Sequence, residues 1–166
     1  LDKLGRRPVD LLDEWGWVGD DVWLAHGIHI SPPEIDRLGA AGTGVAHCPS
    51  SNARLAAGLC PVTDLETAGC PVGLGGDGVA SNEVGGLFPE LRQALYTARI
   101  RAGRADAFLP ADALRLATTG GARCIGRRGN GAERVGRRRD GIRRRRLCTA
   151  QPDPAARAPP RHRPAR

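Results

Sequence analysis

The sequence predicts an α/β fold in which short parallel strands alternate with helices. Three short apolar runs are separated by segments whose apolar residues have helical spacing, and this alternation is typical of strand–helix–strand units around a parallel sheet. The runs end at His26, His47 and Asp77, which lie 21 and 30 residues apart along the chain, near the ~30 residues of one such unit. With 166 residues, the chain is too short for a complete (β/α)₈ barrel, which usually needs ~250 residues.

The N-terminal part of the chain predicts a helix, a strand and a second helix. Pro8 suits the first turn of a helix, and residues 22–25 form the first apolar run. Ser31 and Glu34 have the spacing of a capping box, and two prolines follow the serine directly. This pattern predicts that the second helix begins at Ser31.

The middle of the chain predicts a second strand, a loop and a third helix. Residues 44–46 form the second apolar run, which ends at His47. The serine, asparagine and glycine residues within 49–58 predict a loop. Pro61 is suited to open a helix that Gly69 closes.

The last part of this alternating region predicts a third strand and two more helices. Residues 72–76 form the third run, which ends at Asp77 and is followed by a glycine-rich loop. The next helix is predicted from four apolar residues at helical spacing: Leu87, Leu91, Leu95 and Ala98. A final helix is predicted over about residues 111–118, and we expect Gly120 and Gly121 to break it.

Polar side chains at the ends of the three runs are the first candidates for function. In a (β/α)₈ barrel the active site lies at the C-terminal ends of the strands, where His26, His47 and Asp77 would meet. Each has a structural alternative, because a histidine after a strand is commonly a buried or loop residue and an aspartate is commonly a turn residue. We interpret His29 as structural because the first strand has already ended, and Ser51, like the serine before it, as a turn former.

Charge divides the chain into two parts. The formal net charge is +7, but residues 1–126 contain 11 basic and 15 acidic side chains, whereas residues 127–166 contain 14 arginines and 3 acidic side chains. The second part consists mainly of arginine, alanine, proline and glycine, which predicts disorder. Because GC-rich DNA encodes these residues in most frames, we interpret 127–166 as a frame-shifted tail rather than a selected basic arm.

The five cysteines follow no metal-binding or disulfide pattern. Cys48 and Cys70 border apolar runs, so we predict that both are small core residues. No apolar run reaches the ~18 residues of a membrane-spanning helix, and no basic-then-apolar leader opens the chain. These features predict a cytoplasmic protein with reduced thiols.

Three segments resemble the aminohydrolase branch of the amidohydrolase superfamily. They are LAHGIH (24–29), GVAHCPSSNARLAAGLCPV (44–62) and VGLGGDGVASNE (72–83), and the resemblance extends over about residues 5–126. The branch includes guanine, cytosine and S-adenosylhomocysteine deaminases and the triazine chlorohydrolases, and the motifs are most similar to those of the 8-oxoguanine deaminase group. The resemblance implies that residues 1–126 are the C-terminal part of a metal-dependent hydrolase, a partial (β/α)₈ TIM barrel with about strands six to eight and their helices.

The resemblance also assigns roles to individual positions. His26, after strand six, is similar to the histidine that holds the metal-bound water and helps to polarise the reacting group. Asp77, after strand eight, is similar to the aspartate that ligates the metal and accepts a proton from the water. The loops after strands seven and eight would line the substrate pocket with four residues: His47, Asn52, Ser81 and Asn82.

The implied cofactor is a divalent metal, zinc or in some branches iron, which lowers the pKa of bound water to about 7. The resulting hydroxide would attack a ring carbon that bears an amino group, and a carboxylate would carry a proton to the departing ammonia. The resemblance therefore implies a deaminase of a small, purine-like heterocycle that acts on C–N bonds other than peptide bonds. It leaves a homo-oligomer open and gives no role to a membrane.

The chain lacks other residues that the family uses. It contains no His-x-His pair and four histidines in all, so the metal ligands implied for strands one and five are absent. We therefore expect an incomplete gene product, truncated upstream and frame-shifted near Arg127, that is inactive alone.

Two alternatives stay open at this point. The tail, with Arg137 to Arg139 and Arg143 to Arg146, would bind nucleic acid through phosphate contacts, although no aromatic stacking residue accompanies these arginines. A non-catalytic half-barrel that acts as a structural partner is the second alternative.

Overall fold

The computed structural model describes residues 5–83, 85–127 and 146–147. Its strands are β1 (Val22–Ala25), β2 (Gly44–His47), β3 (Val72–Leu74) and β4 (Arg146–Leu147). They form a sheet in the order β3-β2-β1-β4, and the strands pair in parallel. The α/β fold and the three predicted strands are confirmed.

Helices connect the strands, as the alternating pattern predicts. Those of the described residues are α1 (Pro8–Glu14), α2 (Pro32–Ala41), α3 (Pro49–Arg54), α4 (Val62–Thr67), α5 (Val79–Asn82), α6 (Leu87–Ala102), α7 (Pro110–Arg115) and α8 (Gly121–Cys124). A π-helical segment, Leu116–Gly120, joins α7 to α8. Among the described residues, no helix is both long and apolar enough to cross a membrane.

The start of α2 is the predicted capping box. The Ser31 N–H donates to Glu34 Oε2 at 2.7 Å, and Ser31 Oγ donates to the same oxygen at 2.6 Å. Burial of Glu34 opposes its ionisation, but hydrogen bonds from Arg7 and Ser31 outweigh burial and lower the pKa of Glu34 to about 2. The helix ends at Gly42, whose φ of 70° lies in the left-handed region that glycine favours.

The loop expected over residues 49–58 begins instead with α3. Pro49 occupies the first turn of this helix, where the missing N–H of proline has no cost. Ser51 and Asn52 have low intrinsic helix preference, yet both are buried. Tertiary contacts of these two side chains therefore stabilise a helix that local preference does not predict.

The predicted break at Gly120 and Gly121 is wrong, since the chain continues through both residues into α8. A Cβ on Gly120 would collide with the Val72 carbonyl oxygen, and a Cβ on Gly73 would lie 2.6 Å from the Cα of Gly121. These glycines allow the last helical segment to pack closely against β3. Close packing, rather than termination, explains their position in the sequence.

The hydrophobic core lies between the sheet and the helices packed against it. Its residues include Val9, Ile35, Leu38, Val45, Val62, Leu65, Val72, Phe108 and Leu116. Cys48 and Cys70 are each 4% exposed, which confirms that they are small buried residues. Burial raises the pKa of both thiols to about 11, so both remain protonated at neutral pH.

The region 127–166, which is expected to be a disordered tail, lies mostly outside the described residues. Its described part includes β4, a two-residue strand that pairs with β1 at Val22 and Trp23. The sequence does not predict this strand. An open sheet edge offers N–H and C=O groups to any extended segment that reaches it, and the β1 edge opposite β2 provides such groups.

Candidate active site

Two of the three predicted strand-end residues meet in one site. His26 follows β1 directly, and Asp77 follows β3 after two glycines. His26 Nε2 lies 3.8 Å from Asp77 Oδ2, and the side chains are 38% and 30% exposed. The parallel sheet places the C-terminal ends of β1 and β3 at the same edge, and β2 lies between these strands. The site is therefore accessible to solvent at the edge where barrel enzymes bind substrate.

Both residues have an unusual backbone conformation. His26 has a φ of 67° and Asp77 a φ of 57°, in the left-handed region that residues other than glycine rarely occupy. Such a conformation costs on the order of 1–3 kcal/mol and occurs preferentially at active sites. Its effect here is to turn the chain sharply at the end of each strand.

Asn52 on α3 holds the imidazole ring of His26. His26 Nδ1 lies 2.8 Å from Asn52 Oδ1. An amide oxygen can only accept a hydrogen bond, so Nδ1 carries the proton and donates it to Asn52. His26 Nε2, the nitrogen that faces Asp77, is then left with its lone pair when the ring is neutral.

Three donors hold the carboxylate of Asp77. Ser51 Oγ and Ser81 Oγ donate to Oδ2 at 2.6 and 2.8 Å, and the Gly78 N–H donates to Oδ1 at 2.8 Å. The hydrogen bond from Ser51 is the main cause that lowers the pKa of Asp77, followed by those from Gly78 and Ser81, and together they outweigh burial. Asp77 is therefore an ionised acceptor at neutral pH.

A second carboxylate lies beneath the site. Glu90 on α6 is fully buried, with 0% exposure. Its Oε2 accepts the Ser50 N–H at 3.1 Å, and its Oε1 accepts a hydrogen bond from Asn82 Nδ2 at 2.8 Å. Asn82 Nδ2 also donates to the carbonyl oxygen of Gly76, the residue before Asp77. Glu90 thus connects the loop after β2 to the loop after β3.

Two of these residues were not predicted from the sequence. Ser51 was expected to be a turn former, but its hydroxyl donates a hydrogen bond directly to Asp77. Glu90 was not predicted to have any role. The available signal was the position of this glutamate four residues before Ala94 and eight before Ala98, on the buried side of α6.

His47, the third strand-end residue, is buried at 1% exposure. Among the described residues neither of its ring nitrogens has a hydrogen-bond partner. Burial, with the charge of His26 nearby, lowers the pKa of His47 to about 4. His47 is therefore neutral at physiological pH, and a role in substrate binding stays a prediction.

The described residues do not complete a metal site. They contain no group of three or more His, Cys, Asp or Glu side chains that could hold a metal ion, whereas zinc takes three or four protein ligands. Asp77 offers an ionised carboxylate, but it already accepts three hydrogen bonds. A metal at this site requires ligands beyond the described residues.

A cavity of about 360 Å³ lies away from these residues. It is lined near the N-terminal end of β3 by Cys70, Pro71 and Val72, together with Arg115 and Arg123. None of the candidate catalytic residues lines it. The cavity therefore does not extend the candidate active site.

Comparison with known proteins gives consistent matches. Residues 3–140 match the Amidohydrolase family. The 8-oxoguanine deaminase of Pseudomonas aeruginosa is 53% identical over 140 residues, which cover 84% of this chain and 31% of that enzyme. The 5-methylthioadenosine/S-adenosylhomocysteine deaminase of Haloarcula marismortui is 43% identical over 126 residues, or 76% of this chain and 29% of that enzyme.

A solved structure agrees with these sequence matches. The zinc-bound adenosine deaminase from Xanthomonas campestris superposes with a TM-score of 0.73 at 39% identity, and the match covers 76% of this chain and 29% of that one. The chain therefore spans about three tenths of the length of these relatives.

Proposed function

The chain belongs to the amidohydrolase family, and from this membership we propose that it is part of a metal-dependent aminohydrolase. The proposed reaction removes an amino group from a purine-like heterocycle. We propose 8-oxoguanine as the substrate because identity is 53% with an 8-oxoguanine deaminase and 43% with a 5-methylthioadenosine/S-adenosylhomocysteine deaminase. The family match gives no support to a nucleic-acid-binding function.

The finer architecture is part of the same proposal. We propose that β1, β2 and β3 are strands six, seven and eight of a (β/α)₈ barrel, and that residues 1–126 are its C-terminal part. The parallel order β3-β2-β1 supports this assignment, since neighbouring strands of such a barrel follow one another in the sequence. Residues 127–166 would be a separate, frame-shifted tail.

The observation that carries the proposal is the His26–Asp77 pair at the C-terminal edge of the sheet. The reaction consumes water, breaks the bond between a ring carbon and its amino nitrogen, and forms a carbonyl and ammonia. Asp77 is ionised and accepts a proton from the attacking water. The same proton then passes to the amino nitrogen, which leaves as ammonia, and the second proton of the water moves from the new hydroxyl oxygen to a ring nitrogen, so that the carbonyl forms. His26 Nε2 would hydrogen-bond the water or the reacting group.

Zinc is the proposed cofactor, as in the zinc-bound relative of known structure. Asp77 would be one of its ligands, and the others would come from outside the described residues. When bound, such an ion makes water acidic enough to supply hydroxide at neutral pH. The proposed substrate-binding residues remain His47, Asn52, Ser81 and Asn82.

A hybrid enzyme tests the proposal. Residues 5–126 would replace the matching segment of the Pseudomonas aeruginosa 8-oxoguanine deaminase, and ammonia release would be measured with zinc present. We expect activity on 8-oxoguanine, and a loss of roughly 10²–10⁴-fold in kcat for Asp77→Asn, as is usual when a catalytic proton acceptor is removed. Arg104→Gln, at an exposed ion pair with Asp106, is the matched control and should retain full activity.

The experiment distinguishes a wrong substrate from a wrong proposed function. A hybrid that deaminates guanine or S-adenosylhomocysteine but not 8-oxoguanine would contradict only the substrate. A folded, zinc-loaded hybrid that is inactive on all of these, or one in which Asp77→Asn is fully active, would contradict the proposed function. The unmodified 166-residue chain should release no ammonia in the same assay.

A further inference from the structure

We propose that Glu90 is a positioning residue that fixes the loops after β2 and β3 relative to each other, and so sets the geometry of His26 and Asp77. The proposal rests on the function proposed above for those two residues. It assigns to a buried side chain on α6 a role in the site that neither motif spacing nor strand position indicates.

The two carboxylate oxygens of Glu90 have separate partners. Oε2 accepts the Ser50 N–H at 3.1 Å, from the first turn of α3, and Oε1 accepts from Asn82 Nδ2 at 2.8 Å, at the end of α5. An N–H in the first turn of a helix has no acceptor within that helix. Glu90 therefore satisfies a main-chain group of one loop and a side chain of the other.

Each partner of Glu90 is next to a residue that holds the site. Ser50 precedes Ser51 and Asn52, which bond Asp77 and His26. Asn82 follows Ser81, which bonds Asp77. The helices α3 and α5 contain six and four residues, too few to be stable by their own hydrogen bonds. Glu90 accepts a hydrogen bond from each of these short helices and so fixes their positions relative to each other.

A role confined to packing α6 does not explain this carboxylate. Glu90 is 0% exposed, and the described residues place no cationic side chain in an ion pair with it. Burying a carboxylate without a counter-ion is unfavourable unless hydrogen bonds compensate. Both side-chain hydrogen bonds go to the two site loops, so the cost of burial is offset by contacts that order the site.

The test compares two substitutions on α6 in the complete 166-residue chain. Glu90→Gln keeps the shape of the side chain, but its amide has one acceptor oxygen and can serve only one of the two donors. Thr97→Val is the matched control, because it removes a buried hydroxyl from the same helix without contact to either loop. Amide hydrogen exchange at Ser50 and Gly78 and the ¹⁵N signals of the His26 ring are then recorded by NMR.

We expect Glu90→Gln to speed exchange at Ser50 or Gly78 by roughly tenfold, the effect of leaving one buried hydrogen bond unmade. The His26 Nδ1–H signal should weaken as its bond to Asn52 loosens. Exchange of the Val45 amide, which lies within the sheet and donates to Pro71, should change no more than in Thr97→Val. Wild-type exchange at both loop amides and unchanged His26 signals would overturn the proposal.

A second variant decides the matter if Glu90→Gln does not fold. Asn82→Ala removes the amide that contacts Glu90 and leaves the carboxylate and its helix in place. Faster exchange at Gly78, with an altered His26 ring signal, supports the proposal, and wild-type behaviour at both overturns it. These signals report geometry whether or not substrate turns over, so an inactive hybrid enzyme would count against the proposed function alone.

Discussion

At the scale of single residues, the candidate site is set by two neighbours on α3. Ser51 bonds Asp77 and Asn52 bonds His26, so one turn of helix holds both of the residues proposed to act on substrate. The two strand-end residues were predictable because parallel strands end at one edge. Asn52 was named from the family resemblance as a residue of the pocket, whereas Ser51 was interpreted as a turn former, because a serine in a loop usually is one.

Ser51→Ala should raise the pKa of Asp77 towards its ordinary value. The Ser51 hydroxyl is the main group that stabilises the ionised form of this carboxylate, and alanine cannot donate a hydrogen bond. The measurement is a ¹³C NMR titration of the Asp77 carboxyl carbon. Ser50→Ala is the control, since it is the main-chain N–H of Ser50 that contacts Glu90; an equal rise in that variant would contradict the assignment.

The buried His47 should make the free energy of unfolding depend on pH between about 6.5 and about 4. Its pKa is lowered from 6.5 to about 4 in the folded chain, so below pH 6.5 the unfolded chain binds a proton that the folded chain does not. Stability from the neutral ring is therefore complete above pH 6.5 and falls as pH decreases towards 4, by at most ~1.4 kcal/mol per pH unit.

Urea unfolding of wild type and His47→Leu at several pH values between 4.5 and 7 measures this effect. The free energy of unfolding should change less with pH in His47→Leu than in wild type. His29→Leu, at an exposed histidine, should keep the pH dependence of wild type. Glu34 affects stability over a different pH range, because its pKa is lowered from 4.5 to about 2. The stability that its ionised form provides declines only below pH 4.5. The same pH dependence of the free energy of unfolding in all three proteins would contradict the role of His47.

At the scale of helices and strands, apolar runs and capping signals predicted the elements whose conformation depends on nearby residues. The strands at 22–25 and 44–47 and the capping box at Ser31 agree with the structure. The errors at α3 and at Gly120 have one cause. In both places contacts with distant parts of the chain determine the conformation, and a single sequence does not display those contacts.

Gly120→Ala should destabilise the protein, although alanine is ordinarily the better helix former by ~1 kcal/mol. The new methyl group would collide with the Val72 carbonyl oxygen of β3, and overpacking of this kind costs typically 1–3 kcal/mol. Gly121→Ala is the matched control, since its Cβ would meet only the Leu116 carbonyl oxygen at 3.4 Å. Urea midpoints that rise in both variants would show that glycine is not required for this packing.

At the scale of the whole molecule, the family match and the excess positive charge overlap only over residues 127–140. The described core and the proposed catalytic residues lie within residues 9–124, where acidic side chains outnumber basic ones. The excess positive charge belongs to residues 127–166, with 14 arginines. The family match ends at residue 140, and we expect residues 128–166 to be separable from the folded part.

Removal of residues 128–166 should abolish binding to polyanions and retain the fold. A basic segment binds phosphates by releasing counter-ions, so six to ten contacts lose roughly 10³–10⁵ in affinity between 50 and 200 mM salt. We expect the full chain to be retained on DNA and on heparin alike at low salt, because charge without base contacts does not distinguish them.

The shortened chain should pass through both columns. Its urea midpoint should be close to that of the full chain, because the only described structure that it loses is the two-residue strand β4. The matched control is the full chain with Arg143 to Arg146 replaced by glutamine, which should elute from both columns at lower salt. Preference of the full chain for DNA over heparin would indicate a selected arm instead of a shifted reading frame. Retention of the shortened chain would place the binding surface on the folded part, where acidic residues are in excess.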